Sequence, residues 1–94
     1  MHHVVHCLDN PNVGDRRQAN QADHRTHLQS APGKLLVAGP LVEDDAQTIV
    51  GSFFLYEDAT REELDGFLKS DPLNKAEVWK SIEIRPFLKR IDNR

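Results

Sequence analysis

The sequence has little of what would place it in several common protein classes. It contains one cysteine, Cys7, so no disulfide can form within the chain, and a reducing compartment such as the cytoplasm is the expected location. No apolar run approaches the roughly 18 residues that a membrane-spanning helix needs. The first residues, Met1 to His6, lack the basic segment and apolar core of a signal peptide. We therefore expect neither a membrane span nor a secretory leader.

A large excess of charge of one sign is also missing. The chain has 12 basic and 15 acidic residues and a formal net charge of -3, which gives no general attraction to nucleic acid or to a membrane surface. With 38% hydrophobic and 29% charged residues, the composition is that of a globular protein. We expect a single domain over residues 1–94, and a chain this short has a thin core that an oligomer would reinforce.

Turn-forming residues and apolar patterns divide the chain into strands and helices. Strands are predicted at Val4 to Leu8, Leu35 to Leu41, Thr48 to Tyr56 and Ile82 to Ile91, and helices at Asp15 to Ala31, from Thr60 onwards and briefly after Asp71. The order β-α-β-β-α-β predicts an α+β fold of ferredoxin-like type. It would have a four-stranded antiparallel sheet with both helices on one face, reached by right-handed crossovers.

Three local signals refine this prediction. Pro40 cannot donate to a strand ladder, so the second strand should lie at a sheet edge or contain a bulge. Thr60 and Glu63 have the spacing of a capping box at the start of the second helix. The predicted apolar stripe of that helix consists of Leu64, Phe67 and Leu68.

The third strand is apolar on both faces, with Ile49, Phe53 and Leu55 on one side and Val50, Phe54 and Tyr56 on the other. A sheet covered by helices on one side only should instead alternate between apolar and polar residues. Something must cover the second face, and the simplest cover is the sheet of a second subunit. We therefore expect a homodimer.

Four segments, in this order, resemble one known family: Lys34 to Leu41, Gly51 to Leu55, Ser70 to Leu73 and Ile82 to Phe87. Ahead of them lies Arg17, followed seven residues later by His24, which is similar to an arginine and a histidine on the first helix of that family. On this set the chain is identified as a member of the YciI-like family, a resemblance that extends from about Val4 to Phe87.

The resemblance implies a ferredoxin-like fold whose sheets pair face to face as a dimeric α+β barrel. It also implies a histidine–aspartate pair near the first helix, which matches His24 and Asp71. Relatives in the superfamily include isomerases and dehydrochlorinating enzymes of aromatic breakdown. One departure from the family concerns His27, which stands where the family often has tyrosine, so His24 and His27 both remain candidates for the active histidine.

Each candidate site residue has a functional and a structural interpretation. His24 lies one helical turn before Leu28 and should face inward, as a proton-transfer residue or as a buried, hydrogen-bonded histidine. Asp71 precedes a proline and should cap a short helix, which is compatible with orienting an imidazole. Arg17 could hold a substrate carboxylate or be a solvent-exposed arginine with a packed stem.

The remaining candidates are weaker. Gly39 and Pro40 could shape the wall of a substrate pocket or only end a strand. His24 and His27 have the i, i+3 spacing of metal ligands, but nothing completes a known ligand pattern, so neither a metal site nor a cofactor is expected. Cys7 is interpreted as a small buried residue and not as a nucleophile.

Three functions compete at this point. The favoured one is an enzyme that isomerises a small, cyclic, anionic molecule or eliminates a group from it, through His24 and Asp71 with Arg17 binding the anion. The alternative is a non-catalytic homodimer that binds a ligand or a partner protein, which a filled apolar site would favour. RNA binding shares the element order, but Val50 stands where the RNA-binding motif has a basic residue.

Overall fold

A computed structural model describes residues 1–94 and contains four strands and three helices. The strands are β1 (His2–Asp9), β2 (Lys34–Val42), β3 (Ile49–Glu57) and β4 (Trp79–Phe87), and the helices are α1 (Gly14–Leu28), α2 (Arg61–Lys69) and α3 (Pro72–Lys75). No helix combines the length and the apolar character needed to cross a membrane. The element order is the predicted one, with α3 as the short turn after Asp71.

All strand pairs are antiparallel, and the sheet order is β2-β3-β1-β4. This order splits each β-α-β unit by one strand, which is the ferredoxin-like arrangement that the sequence predicts. Strand β2 lies at an edge, and its pairing with β3 shifts register after Leu35 and again after Leu41. The edge position, one of the two alternatives predicted for the strand with Pro40, is therefore confirmed, and the irregular pairing lies on either side of Pro40 and not at it.

The core lies between one face of the sheet and the helices. The sheet contributes inward-facing residues of the two central strands and of β4. The helical side contributes residues of α2, α3 and their flanking loops. The largest core residues are Val5, Phe54, Tyr56, Leu64, Leu68, Leu73, Val78 and Trp79. Registers pair Val5 with Phe54 and with Ile84, which places these side chains in one layer. The other face of the sheet has no helix over it.

Helix α2 begins with the predicted capping box. The Thr60 side chain accepts a hydrogen bond from the Glu63 backbone N–H at 3.1 Å, and the Glu63 carboxylate accepts one from the Thr60 N–H at 2.9 Å. The prediction for its apolar stripe was partly wrong. Leu64 and Leu68 are fully buried, but Phe67 is only half-buried and stacks on the ring of His27, with centroids 4.1 Å apart.

The last strand also differs from its prediction. It begins at Trp79, three residues earlier than expected, and ends at Phe87, so that Leu88 to Ile91 lie outside it. Asp9 pairs with Trp79 across a register shift, which extends the sheet toward the end of β1. Beyond Phe87 no partner strand remains for the chain, because β1 begins at His2, which is already paired with Phe87.

The different burial of Leu64 and Phe67 predicts different costs of truncation. Leu64→Ala removes a fully buried side chain from the core and should lower the free energy of unfolding by about 2–5 kcal/mol. Phe67→Ala removes a half-buried ring and one aromatic stack, and should cost about 1–2 kcal/mol. Urea denaturation of both variants measures the difference, and equal losses would show that Phe67 belongs to the core.

Candidate active site

Helix α1 faces the sheet with polar side chains. Its buried residues are Arg17 and His24, and no aliphatic residue of the helix is buried to the same degree. The two are seven residues apart, close to two helical turns, so they share one face. A buried cation or imidazole is stable only if its polar atoms have partners. Each of these two side chains contacts a carboxylate.

Arg17 joins α1 to strands β1 and β3 through several hydrogen bonds. Its Nε donates to Asp9 Oδ2 at 2.9 Å, and its Nη2 lies 3.1 Å from Asp9 Oδ1. The same Nη2 donates to the Gly51 carbonyl at 3.0 Å and to Ser52 Oγ at 2.9 Å. Most of the guanidinium group is thus engaged within the protein, and Nη1 is the nitrogen that has no partner in the chain.

His24 lies against Asp71, which comes from the N-terminus of α3. His24 Nδ1 is 2.8 Å from Asp71 Oδ2 and 2.9 Å from Oδ1. Asp71 is fully buried, and its Oδ1 also accepts a hydrogen bond from the Leu73 backbone N–H at 2.8 Å. The carboxylate therefore caps α3 and contacts the imidazole at the same time. An ionised carboxylate can only accept, so Nδ1 is the donor of this hydrogen bond, and in the neutral imidazole Nε2 then has the lone pair.

The other nitrogen of His24 is not used by the protein. The ring lies edge-on to Phe54 and Trp79, with centroid separations of 6.1 and 6.2 Å, and Nε2 has no hydrogen-bond partner within the chain. His24 is one of the residues that line a cleft, so this nitrogen is available to a ligand there. A neutral imidazole with a fixed tautomer and a free Nε2 is suited to accept a proton.

The cleft has a volume of about 1130 Å³ and lies between α1, β2 and β3. Its walls combine Phe54 and other apolar residues with several side-chain amides and with Arg25 and Lys80 as cations. Gly39 and Pro40, both proposed from the sequence, lie in its wall. A Cβ atom added at Gly39 would meet no atom within 4 Å, so packing does not require glycine there.

His27 lies elsewhere. Its Nε2 donates to the Phe67 carbonyl oxygen at 2.8 Å, so it joins α1 to α2 and does not contact Asp71. Of the two candidate histidines, His24 is the one beside the carboxylate. His24 and His27 also do not share a metal site, and no group of three or more His, Cys, Asp or Glu side chains is arranged to hold a metal ion.

Three residues of this site were not found from the sequence. None of Asp9, Ser52 and Trp79 was singled out from the sequence. In the structure Asp9 holds Arg17, while Ser52 Oγ accepts from both Arg17 and Trp79 Nε1, the latter at 3.3 Å. One available signal was Ser52 itself, a polar residue on the inward side of a strand whose neighbours Phe54 and Tyr56 are apolar.

The model of the YCII-related domain matches residues 1–88. The chain belongs to this family. The family resemblance stated from the sequence is thereby confirmed. No protein with a curated function matches the chain in sequence.

Solved structures support the same fold for this YCII-related chain. A 5-chloro-2-hydroxyhydroquinone dehydrochlorinase from Burkholderia phenoliruptrix, in complex with 2,5-dihydroxybenzoquinone, is 25% identical, with a TM-score of 0.83 and 94% of each chain covered. A Bacteroides thetaiotaomicron protein described as an antibiotic biosynthesis monooxygenase is 14% identical, with a TM-score of 0.57 over 100% of this chain and 92% of the other. An Agrobacterium tumefaciens protein is 8% identical, with a TM-score of 0.53 over 89% and 88%. The last two show the fold alone.

Cys7 lies behind the site, opposite Ser52 in the β1–β3 register, and is fully buried. Burial raises the pKa of its thiol to about 12, and the nearby carboxylates of Asp71 and Asp9 add to this effect because they disfavour a second negative charge. The thiol is therefore protonated at neutral pH. This agrees with its interpretation as a small buried residue.

The raised pKa of Cys7 predicts low reactivity and a pH-dependent stability. Iodoacetamide at pH 8 should leave the native thiol unmodified and alkylate it in urea, as mass spectrometry can measure. The folded pKa lies above the unfolded value of about 8.5, so the thiol's contribution to stability is present below that value. It should be lost as the pH rises toward 12.

Cys7→Ala removes this ionisation and is the matched variant. The difference in free energy of unfolding between the wild type and Cys7→Ala should therefore shrink between about pH 8.5 and 11. A difference that stays constant over this range would contradict the raised pKa.

Proposed function

We propose that this protein is a small-molecule enzyme that isomerises a hydroxylated cyclic substrate or eliminates a group from it, with His24 as the proton-transfer residue. The observation that carries the proposal is the arrangement of His24. Its Nδ1 is 2.8 Å from the buried Asp71 carboxylate, and its Nε2 has no partner in the chain and belongs to a residue that lines the cleft. Asp71 is a positioning residue that fixes the tautomer and stabilises the imidazolium.

The chemistry follows from these roles. Neutral His24 removes the proton of a ring hydroxyl group, and the electron pair left on oxygen enters the ring. The imidazolium, stabilised by Asp71, then returns the proton to a ring carbon, which completes an isomerisation. If that carbon also bears a halide, a second hydroxyl group gives its proton to His24, which is neutral again, and its electron pair forms a carbonyl through the ring. The halide leaves with its bonding pair, so the overall reaction is an elimination of hydrogen halide.

The comparison favours hydroxylated aromatic substrates. The Burkholderia dehydrochlorinase acts on a chlorinated trihydroxybenzene and was solved with a dihydroxybenzoquinone. The cleft of the present chain suits a similar molecule, because Phe54 offers an aromatic surface and Gln18, Gln21 and Gln47 offer side-chain amides for oxygen substituents. Since the cleft is open and not filled by apolar side chains, catalysis is favoured over the non-catalytic binding protein.

The test is turnover of 5-chloro-2-hydroxyhydroquinone, followed by chloride release. We expect the wild type to release chloride and His24→Asn to lose at least about 10²-fold in kcat, the range for removal of a general acid or base. Asp71→Asn is the sharper variant, because asparagine retains the α3 cap but not the negative charge. It should lower kcat by about 10²-fold with little change in stability.

His27→Asn is the matched control, since His27 is on the same helix, contacts the Phe67 carbonyl and does not line the cleft. It should keep kcat within about threefold of the wild type. Activity that survives in His24→Asn, or that is lost equally in His27→Asn, would contradict the assignment of His24. Binding of the hydroxylated ring without turnover would favour the non-catalytic alternative.

We further propose that the enzyme is a homodimer formed through the uncovered face of the sheet. This face, the open face, presents apolar side chains from three adjacent strands, namely Val4, Val37, Leu41, Phe53 and Leu55. Glu83 and Arg85 lie on the same face of β4, so opposite charges are available at its margin in each copy. A two-fold pair of such sheets covers both faces at once. Glu57 and Glu83 are matched by Lys34 and Arg85 on this face, so it has no excess of positive charge for RNA.

The dimer predicts about 800 Å² buried per subunit and a stable association at micromolar concentration. Leu55→Asp places a charge at the centre of the open face, where no helix contacts it, and should give a folded monomer in sedimentation velocity. Glu62→Lys, an exposed change on α2, should leave the dimer intact. A wild-type monomer at micromolar concentration would contradict the proposal.

A further inference from the structure

Ser52 occupies an unusual position in the cleft, because its hydroxyl oxygen is approached by two donors. The residue is on β3 with 3% of its surface exposed. Its Oγ accepts a hydrogen bond from Arg17 Nη2 at 2.9 Å and a second from Trp79 Nε1 at 3.3 Å. Neither partner can accept a hydrogen bond in return. A serine oxygen has two lone pairs, so its capacity as an acceptor is full.

The hydroxyl hydrogen of Ser52 therefore has to be donated, and no acceptor in the chain receives it. The residue lines the cleft, so the partner has to come from there. A buried hydroxyl group without a partner is unfavourable. The site thus provides a hydrogen-bond donor whose direction is set by Arg17 and Trp79, and a ligand oxygen would accept it.

Arg17 adds a second donor, from a guanidinium group whose charge is paired with Asp9. Nε and Nη2 are used by Asp9, Gly51 and Ser52, whereas Nη1 makes no hydrogen bond in the chain. Arg17 also lines the cleft, and the bonds to Asp9 hold its guanidinium plane in one orientation. A fixed guanidinium with free N–H groups favours an oxygen that carries negative charge.

The acceptor in the same cleft is His24 Nε2. The rings of His24 and Trp79 are 6.2 Å apart, and Trp79 also donates to Ser52, so His24 and Ser52 share a neighbour, and both line the cleft together with Arg17. Donors that favour a negative oxygen, together with a base, suit a hydroxyl group that loses its proton. The O–H bond breaks, the proton joins Nε2, and the electron pair stays on oxygen beside Ser52 and Arg17.

We propose that the Ser52 hydroxyl group and Arg17 Nη1 form an oxyanion-binding pair that selects phenolate or enolate oxygens of the substrate. The inference rests on the proposed function, since it assigns the substrate group that His24 deprotonates. It adds a requirement: substrates must carry a hydroxyl group that can ionise, and the corresponding methyl ethers should be excluded. Ser52 is in this view the residue that determines the preference.

The experiment uses 4-nitrophenol, whose absorbance distinguishes phenol from phenolate, and 4-nitroanisole as its non-ionisable match. Both are titrated into the full-length His24→Asn protein, so that proton transfer to His24 does not contribute. We expect the protein to bind the phenolate at least about tenfold more tightly than the neutral phenol, which lowers the pH at which bound 4-nitrophenol ionises by about one unit.

Ser52→Ala, made in the His24→Asn protein, should lower the ratio of phenolate affinity to phenol affinity about tenfold. The affinity for 4-nitroanisole should stay within about twofold of its value before the substitution. Ser52→Thr keeps the hydroxyl group and should restore the preference. If Ser52→Ala does not fold, Ser52→Cys is used in its place, since a thiol is a weak donor. Either substitution should raise the ionisation pH of the bound phenol toward its value in solution.

Two outcomes overturn the inference. One is an equal loss of affinity for 4-nitrophenol and 4-nitroanisole in the Ser52 variants, which would mean that the hydroxyl group only shapes the cleft. The other is binding of 4-nitrophenol to the His24→Asn protein without a change in its ionisation pH. Neither result contradicts the proposed function. That function is tested separately, by chloride release by the wild type and by loss of turnover in His24→Asn.

Discussion

The ion pair between Arg17 and Asp9 is the interaction on which the arrangement of this protein depends most. It joins α1 to the end of β1, and both side chains are at least nine-tenths buried. Arg17 and His24 are the buried residues of helix α1, and Leu28 is only partly buried against the core, so the position of the helix depends strongly on the hydrogen bonds of Arg17 and His24. Loss of one partner of such a buried pair leaves the other charge without compensation, which costs more than the pair itself contributes.

Polar attachment of α1 also explains why a cleft exists. Aliphatic side chains between a helix and a sheet pack to high density and leave no space, whereas α1 is held by directional bonds at Arg17 and His24. The helix-side positions of β2, such as Ala38 and Pro40, remain exposed, and the cleft lies over them. The residues that fix the helix are also those that border the cleft, so stability and the proposed chemistry share the same side chains.

The two faces of the sheet serve different purposes in this proposal. The helix-side face contains the core near α2 and α3 and the cleft near β2. The open face is apolar through Phe53 and Leu55 and is assigned to assembly. Strand β3 contributes to both, because alternate residues point to opposite faces: Phe53 lies on the open face, while Ser52 and Phe54 line the cleft.

The sequence by itself determined the element order, the ferredoxin-like fold and the capping box at Thr60, and it limited the strand with Pro40 to an edge strand or a bulged one. These are consequences of local preferences, because each signal depends on residues a few positions apart. The pairing of His24 with Asp71 was anticipated only through the family resemblance, since 47 residues separate them.

Only the tertiary structure decided which polar residues meet. Asp9, Ser52 and Trp79 reach Arg17 or each other through strand pairing, and no local pattern distinguishes a carboxylate that ends a strand from one that holds a buried arginine. The same limit applies to Phe67, whose helical spacing fits a core residue. Its ring instead packs on His27, because the direction of an apolar stripe depends on the packing of α1 against α2 and not on spacing alone.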